Sequence, residues 1–290
     1  MIKHTFTHIK GIGEKQEEKL WQQGITDWQT YLTAEKPPLS NAKHAEAVAI
    51  LEKSHALFEA QNWPRLCEMI PARQNWRLFH QLRESIAYLD IETTGMSIDT
   101  CEISTISIYD GRDIFTFVNG ENLEEFEDAI LNYNLLITFN GRSFDVPFIE
   151  RFFRTRIPHA HVDLMHVLRQ LGYTGGLKKI EKELGIDRRD HDLGDVSGGL
   201  AVTLWQEYQK TGNQRALDSL LAYNIADVVN LEYLMFFAHN RLVEATPFAE
   251  NYRLSIPSQP EISFKVDRAL VEQILDEQWK FPSADEGWGW

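Results

Sequence analysis

The chain has 290 residues, 43% hydrophobic and 25% charged, an ordinary balance for a globular protein with a real core, long enough for one large domain or two smaller ones. A net charge of −14, with a pI near 5.2, excludes coating nucleic acid by bulk charge but not an enzyme that acts on it. Cys67 and Cys101 exclude a disulfide framework and set a reducing cytosol as the expectation, while the opening MIKHTFTHIKGIGEK has no signal-like apolar run and no stretch approaches ~18 uninterrupted apolar residues, so no membrane span is expected.

Residues 1–32 carry a glycine turn, IKGIG, ahead of a helix over 14–23 that Gly24 stops. Gly11 and Gly13 permit a tight turn that exposes backbone N–H groups at a helix start, an arrangement that can hold a phosphate, and Lys10, Lys15 and Lys19 add positive charge. The stretch IKGIGEKQEEKLWQQGIT resembles the helix-hairpin-helix motif, which contacts the DNA backbone without reading sequence. Glu17 departs from it where a small residue is usual, Glu14 and Glu18 offset the lysines, and little chain precedes Ile9. The alternative is a plain turn between two small helices. Residues 33–84 hold a proline break, an amphipathic helix over 41–60 and a short helix through Trp76, Leu78, Phe79 and Leu82. No chemistry is evident there; the segment is expected to dock the N-terminal piece onto the main domain.

The chain is organised around SIAYLDIETTG, residues 85–95. An apolar run bounded by a turn signal reads as a buried strand, and alternation points Asp90 and Glu92 to one side. Two carboxylates ~5 Å apart repel by about 3 kcal/mol at an effective dielectric of about 20. Either the strand end frays into solvent, where the charges cost little, or a hard divalent cation relieves them.

A strand over 103–108, the hairpin signal Asp110-Gly111 and a returning strand over 113–118 follow. A helix with an acidic face is expected over 123–132, and a fourth, buried strand over 135–139. Asn140 to Asp145 then form a strand-to-helix turn of the kind that carries catalytic residues in α/β sheets. The helix over 146–156 holds Arg151, Arg154 and Arg156, with Arg142 ahead of it; these arginines are either a solvated face or a phosphate track. A strand over 159–163 ends in an acid. Helices follow over 164–171 and 177–184. In the charged loop 187–195, His191, Asp192 and Asp195 either hold a metal, or cap a helix or sit in solvent. Helices are expected over 196–211 and 214–238. On the second, Leu217, Leu220, Leu221, Val228, Leu231 and Met235 make one apolar stripe, with Tyr223 and Asp227 four apart along its edge, where the helix should meet the sheet. Residues 262–266 read as a strand, 268–275 as a helix, and SADEGWGW as a poorly ordered terminus.

The motifs LDIETTG, FNGRSFDVPFI and YNIADVVNL, in this order, resemble those of the DnaQ-like, or DEDD, 3′–5′ exonucleases, and the Tyr–x–x–x–Asp spacing matches the tyrosine subclass, DEDDy. FNGRSFDVPFI, GGLKKIEKELGI and ALDSLLAYNIADVVNLEYL look closest to the YprB-like branch. The resemblance covers roughly 86–240. It implies an α/β, ribonuclease H-like fold: a mixed five-stranded sheet flanked by helices, with a small N-terminal helical region. The expected organisation of the whole chain is a helix-hairpin-helix-like element over 1–32, a connector over 33–84, the exonuclease domain over 85–240 and an extension over 241–290. The resemblance implies two Mg²⁺ or Mn²⁺ ions, with Asp90 bridging them, Glu92 and Asp227 completing the first site and Asp145 holding the second. Tyr223 would orient the attacking water, and Thr93, Thr94, Gly95, Asn140 and Arg142 would meet the substrate. The implied partner is nucleic acid, DNA favoured over RNA. The alternatives are a binding module without turnover and a ribonuclease H-type endonuclease.

Overall fold

The computed structural model describes residues 1–35, 39–186, 188 and 199–280. The helices α1 (Glu14–Gln22), α2 (Trp28–Leu32), α3 (Asn41–Glu59), α4 (Trp63–Met69) and α5 (Phe79–Leu82) come first, with a 3-10 helix over Ala72–Leu78. The strands are β1 (Ile86–Thr93), β2 (Ile103–Tyr109), β3 (Ile114–Val118), β4 (Leu135–Thr138) and β5 (Ala160–Asp163). Between and after them lie α6 (Phe126–Ile130), α7 (Asp145–Phe153), α8 (Leu164–Gln170), α9 (Leu177–Leu184), α10 (Gly199–Thr211), α11 (Gln214–Glu244), α12 (Ala249–Tyr252) and α13 (Arg268–Lys280).

The sheet is mixed and five-stranded, as expected, and its order is β3-β2-β1-β4-β5. The hairpins β1–β2 and β2–β3 are antiparallel, and β1–β4 and β4–β5 are parallel. Alternation along β1 splits the core in two. Leu89 and Ile91 pack with Phe126, Phe148 and Ile149 on one face. Tyr88 packs on the other with Leu220, Val228 and Leu231 of α11, in a cluster that also takes in Met1, Phe6, Leu20, Trp28 and Leu66. The N-terminal helices therefore share a core with the sheet.

Two expectations change. The single apolar stripe on α11 is a helix buried nearly all round: its most apolar window, long and apolar enough to cross a membrane by composition, is 83% inside the protein. Residues 262–266 are not a strand; they belong to an extended segment tied to side chains of α11. Leu254 N–H donates to Asn240 Oδ1 (2.9 Å), Gln259 Nε2 to Asn230 Oδ1 (2.8 Å) and Asp267 N–H to Ser219 Oγ (2.9 Å), so no sheet edge is needed. The loop with His191, Asp192 and Asp195, and the terminal SADEGWGW, lie outside the described residues.

Glu17, the departure from the helix-hairpin-helix pattern, is a structural anchor. It is 1% exposed and meets Arg77, 3% exposed, in a two-pronged ion pair at 2.7 and 2.9 Å. Its Oε1 also accepts Phe6 N–H at 2.6 Å, so one carboxylate joins α1, the first turn of chain and the 3-10 helix. Removing one partner leaves a buried charge unpaired, which costs about 3–5 kcal/mol, whereas replacing both with apolar residues is far milder. Urea denaturation should show a large loss for Glu17→Leu or Arg77→Leu and recovery of most of it in the double variant; additive losses would contradict this role.

Candidate active site

Asp90 and Glu92 stand on the α11 side of β1, and α11 brings Asp227 to them. One carboxylate oxygen from each lies within 4.8 Å of the others, a group that could hold a metal ion. The site is at a strand end where the β1–β2 register slips between Glu92 and Thr93. Asp145 opens α7 and is 4% exposed; its Oδ1 accepts Ile91 N–H at 3.2 Å. It is tied to the strand beside the trio rather than lying inside it. Tyr223, one turn before Asp227, is 9% exposed, with Lys178 Nζ 4.6 Å and the Arg188 guanidinium 5.5 Å from its ring centre.

Several partners of these acids were not singled out from sequence. Asn224, fully buried between Tyr223 and Asp227, donates from Nδ2 to Asp90 Oδ2 at 2.7 Å. Arg188 forms an ion pair with Asp227 and another with Glu181 at 2.6 Å, and Asn230 Nδ2 holds the other Glu181 oxygen at 2.8 Å. Asp163, at the end of β5, accepts the N–H groups of Asn140 (2.9 Å), Arg142 (3.1 Å) and Met165 (3.1 Å). It thereby shapes the turn that presents Asp145. A polar Asn within an apolar helical stripe was the one signal for Asn224; the others depend on contacts across the fold.

The remaining sequence candidates are placed as follows. Thr93, Thr94 and Gly95 continue from Glu92 into a loop closed by Thr94 N–H to Glu102 O (2.9 Å) and Thr93 Oγ1–H to Gly95 O (2.7 Å). Asn140 takes a left-handed backbone, φ 63°, in the turn before Asp145. Arg142 is exposed, and its guanidinium donates to His161 O at 2.8 Å. Arg151 and Arg156 face Asp99 and Glu150. Lys10, Gly11, Gly13 and Lys15 are exposed around the start of α1, Gly11 at φ +88° and Gly13 as its N-cap.

Burial, then mutual repulsion, pushes the Asp90 carboxyl well above the usual range. Glu92 is raised to about 8, chiefly by burial and then by Asp227 and Asp145, with Lys178 and Arg188 pulling back. Asp145 rises to about 7 for the same first reason, opposed by backbone N–H groups. A carboxyl raised in the folded state keeps a proton that the unfolded chain gives up. Its presence therefore erodes stability as pH climbs from the ordinary 4.5 of Glu92 through about 8. Buried His8 and the Met1 amine, both lowered to about 4, titrate alike in a Glu92 variant and cancel in the comparison. In chelator, Glu92→Gln should match the unaltered chain below pH 4.5 and melt at progressively higher temperature than it as pH rises towards 8. A constant difference across that range would refute the clustering.

A family model described as RNase_H superfamily matches residues 87–238, more than half of the chain. Among solved structures, the family B DNA polymerase from the hyperthermophilic archaeon Pyrobaculum calidifontis shows similarity with a TM-score of 0.42 and 13% identity. That alignment covers 59% of this chain and 27% of the polymerase chain. No match is found among curated proteins. The matched span holds the whole sheet together with Asp90, Glu92, Asp145, Tyr223 and Asp227, and the chain belongs to the RNase_H superfamily.

Proposed function

We propose that this protein is a metal-dependent 3′–5′ exonuclease of the DEDDy type, nearest the YprB-like branch, acting on DNA in preference to RNA. The observation that carries the reading is the convergence of Asp90, Glu92 and Asp227 within 4.8 Å, with Tyr223 one turn from Asp227 on the same buried helix. In this reading residues 85–240 are the hydrolytic unit, 33–84 a connector, and 241–290 an extension.

The donor set fits Mg²⁺ or Mn²⁺: hard carboxylate oxygens with no thiolate or imidazole in the group. Asp90, Glu92 and Asp227 would hold the ions, with Asp145 completing the set through water. Two such ions, when bound, stabilise charge on the attacking and leaving oxygens of an in-line displacement. The Tyr223 hydroxyl orients the attacking water, and burial raises its pKa, so it remains an O–H donor at neutral pH. Lys178 and Arg188 set positive charge against the same ring. In this reading the loop Thr93–Thr94–Gly95 that follows Glu92, and the turn bearing Asn140 and Arg142 ahead of Asp145, would offer contacts to the terminal nucleotide.

With Mn²⁺ and a 5′-labelled single strand, the expected products shorten stepwise from the 3′ end, and a blocked 3′ end should stop them. Asp90→Asn should lower the rate by at least about 10²–10³-fold, and Tyr223→Phe by about 10²-fold with Mn²⁺ binding retained. Internal cleavage of the 3′-blocked strand would instead identify an endonuclease. The Arg188–Asp227 ion pair favours a second reading, a nucleic-acid-binding module with little turnover. Strand binding without hydrolysis by the unaltered chain, at saturating Mn²⁺, would establish it.

The exposed turn at Lys10, Gly11, Gly13 and Lys15 forms, in the same reading, a helix-hairpin-helix-like contact over residues 1–32 for the phosphates of longer substrates. Lys10→Ala/Lys15→Ala should weaken duplex binding and flatten its salt dependence by about one unit of slope per lost contact. Cleavage of a short oligonucleotide should be unchanged; equal losses on both substrates would reject that contact.

A further inference from the structure

The strands beneath α11 carry a feature that the acids alone do not explain. Ser107 on β2 stands directly opposite Asp90, and Thr105 directly opposite Glu92. Directly opposed residues share a face of the sheet, so both hydroxyls lie beside the carboxylates and under α11. Thr105 and Ser107 are fully buried and small, on the face of β2 that the sheet turns towards α11, while Ile106 and Ile108 point to the other face.

Both hydroxyls converge on one atom. Ser107 Oγ–H donates to Asn224 Oδ1 at 2.6 Å, and Thr105 Oγ1–H donates to the same oxygen at 3.2 Å. The other end of the amide, Nδ2, donates to Asp90 Oδ2 at 2.7 Å. Asn224 is 0% exposed and its bonds to the two hydroxyls are buried, while the bond to half-buried Asp90 lies nearer the surface. The orientation of the amide follows from chemistry. With Asp90 ionised, as a cation ligand must be, a turned-over amide would set its oxygen against a carboxylate oxygen, two acceptors with no proton between them.

We infer that Asn224 is a positioning residue for Asp90, locked by Thr105 and Ser107 so that one Asp90 oxygen is held by an N–H and the other is aimed into the acidic group. The inference rests on the metal-dependent reading above and extends it to three residues outside the acid and tyrosine set. A carboxylate on a strand can rotate about χ2; the amide removes that freedom before any cation arrives. It does so without adding charge, which distinguishes it from Arg188, whose guanidinium contacts Asp227 directly. Because Asn224, Tyr223 and Asp227 share one helix, the amide also keeps α11 in register with β1 at the place where their carboxylates meet. Hydrogen-bond partners of ligating carboxylates are typically worth 10–100-fold in metal affinity or activity.

The test is Mn²⁺ binding by the full-length chain, followed by the loss of the free-ion spin-resonance signal, with single-turnover hydrolysis alongside. Asn224→Leu keeps the volume and removes the donor; Mn²⁺ affinity should fall by about 10–100-fold, and kcat with it, while KM for the oligonucleotide stays near its original value. Ser107→Ala touches no carboxylate, and should give a smaller loss in the same direction, about 2–10-fold. In the Asn224→Leu background, Ser107→Ala should cost nothing more, a non-additivity that a merely structural hydroxyl does not produce. Unchanged Mn²⁺ affinity in Ser107→Ala, or a loss that adds in full to that of Asn224→Leu, overturns the inference. Should Asn224→Leu fail to fold, the Ser107→Ala affinity decides alone. An unaltered chain that binds no Mn²⁺ would instead defeat the metal-dependent reading itself, so the two failures are distinguishable.

Discussion

Three carboxylates brought together on one face of a sheet set the terms for the rest of the molecule. Asp90, Glu92 and Asp227 repel one another, and burial followed by that repulsion pushes the first two above the range of free acids. The fold answers each charge differently. Asp90 receives an amide N–H from Asn224. Asp227 receives the Arg188 guanidinium. Glu92 has Lys178 and Arg188 acting on it through space. Nearby Asp145 is held by a backbone N–H of β1 itself. No single partner neutralises the group, which leaves it able to attract a divalent cation.

That arrangement requires α11 to be continuous and dry. The helix supplies Tyr223, Asn224 and Asp227 within five consecutive positions: Asn224 bonds to β1 and β2, Asp227 joins Asp90 and Glu92, and Tyr223 lies against Lys178 and Arg188. At about 100° per residue the three positions span about 100° of the helix surface, so one sheet-facing side carries them all. Covering by β1 and β2 on one side, α10 on another, and the extended 254–267 segment pinned through Asn230, Asn240 and Ser219 gives α11 its all-round burial.

The N-terminal helices bear on the same site from the far edge of the sheet. β5 is an edge strand, and its exposed backbone groups would invite pairing. Cys67 and Asn75 occupy that edge: His161 N–H donates to Cys67 Sγ at 3.5 Å, and Asn75 Nδ2 donates to His161 O at 3.1 Å. Two residues further on, Asp163 collects the N–H groups of the 140–142 turn. That turn is tight enough that a Cβ on Gly141 would overlap the Thr138 side chain, and it sets the start of α7 and the direction of Asp145. Support thus passes from the Glu17–Arg77 anchor, through the 3-10 helix bearing Asn75, to the edge of the sheet beside the acids.

The local chemistry of the chain was legible in its residues. Alternation in IAYLDIET determined a buried strand with both acids on one side, and the spacing of Tyr223 and Asp227 determined that they share a helical face. The glycines and polar turns marked most element boundaries, because φ/ψ limits act within a few residues. What the sequence could not determine was which polar groups answer one another across 60 or 134 positions. Asn224 with Asp90, and Glu17 with Arg77, read locally as a polar interruption and as a flaw in a motif. The 262–266 run carried a strand's residues, yet its backbone lies in a segment tied to helix side chains. Only the tertiary structure decided these, because the partner of a buried polar group is chosen by which surfaces the packed core brings within 3 Å, and the chain's order does not encode that distance.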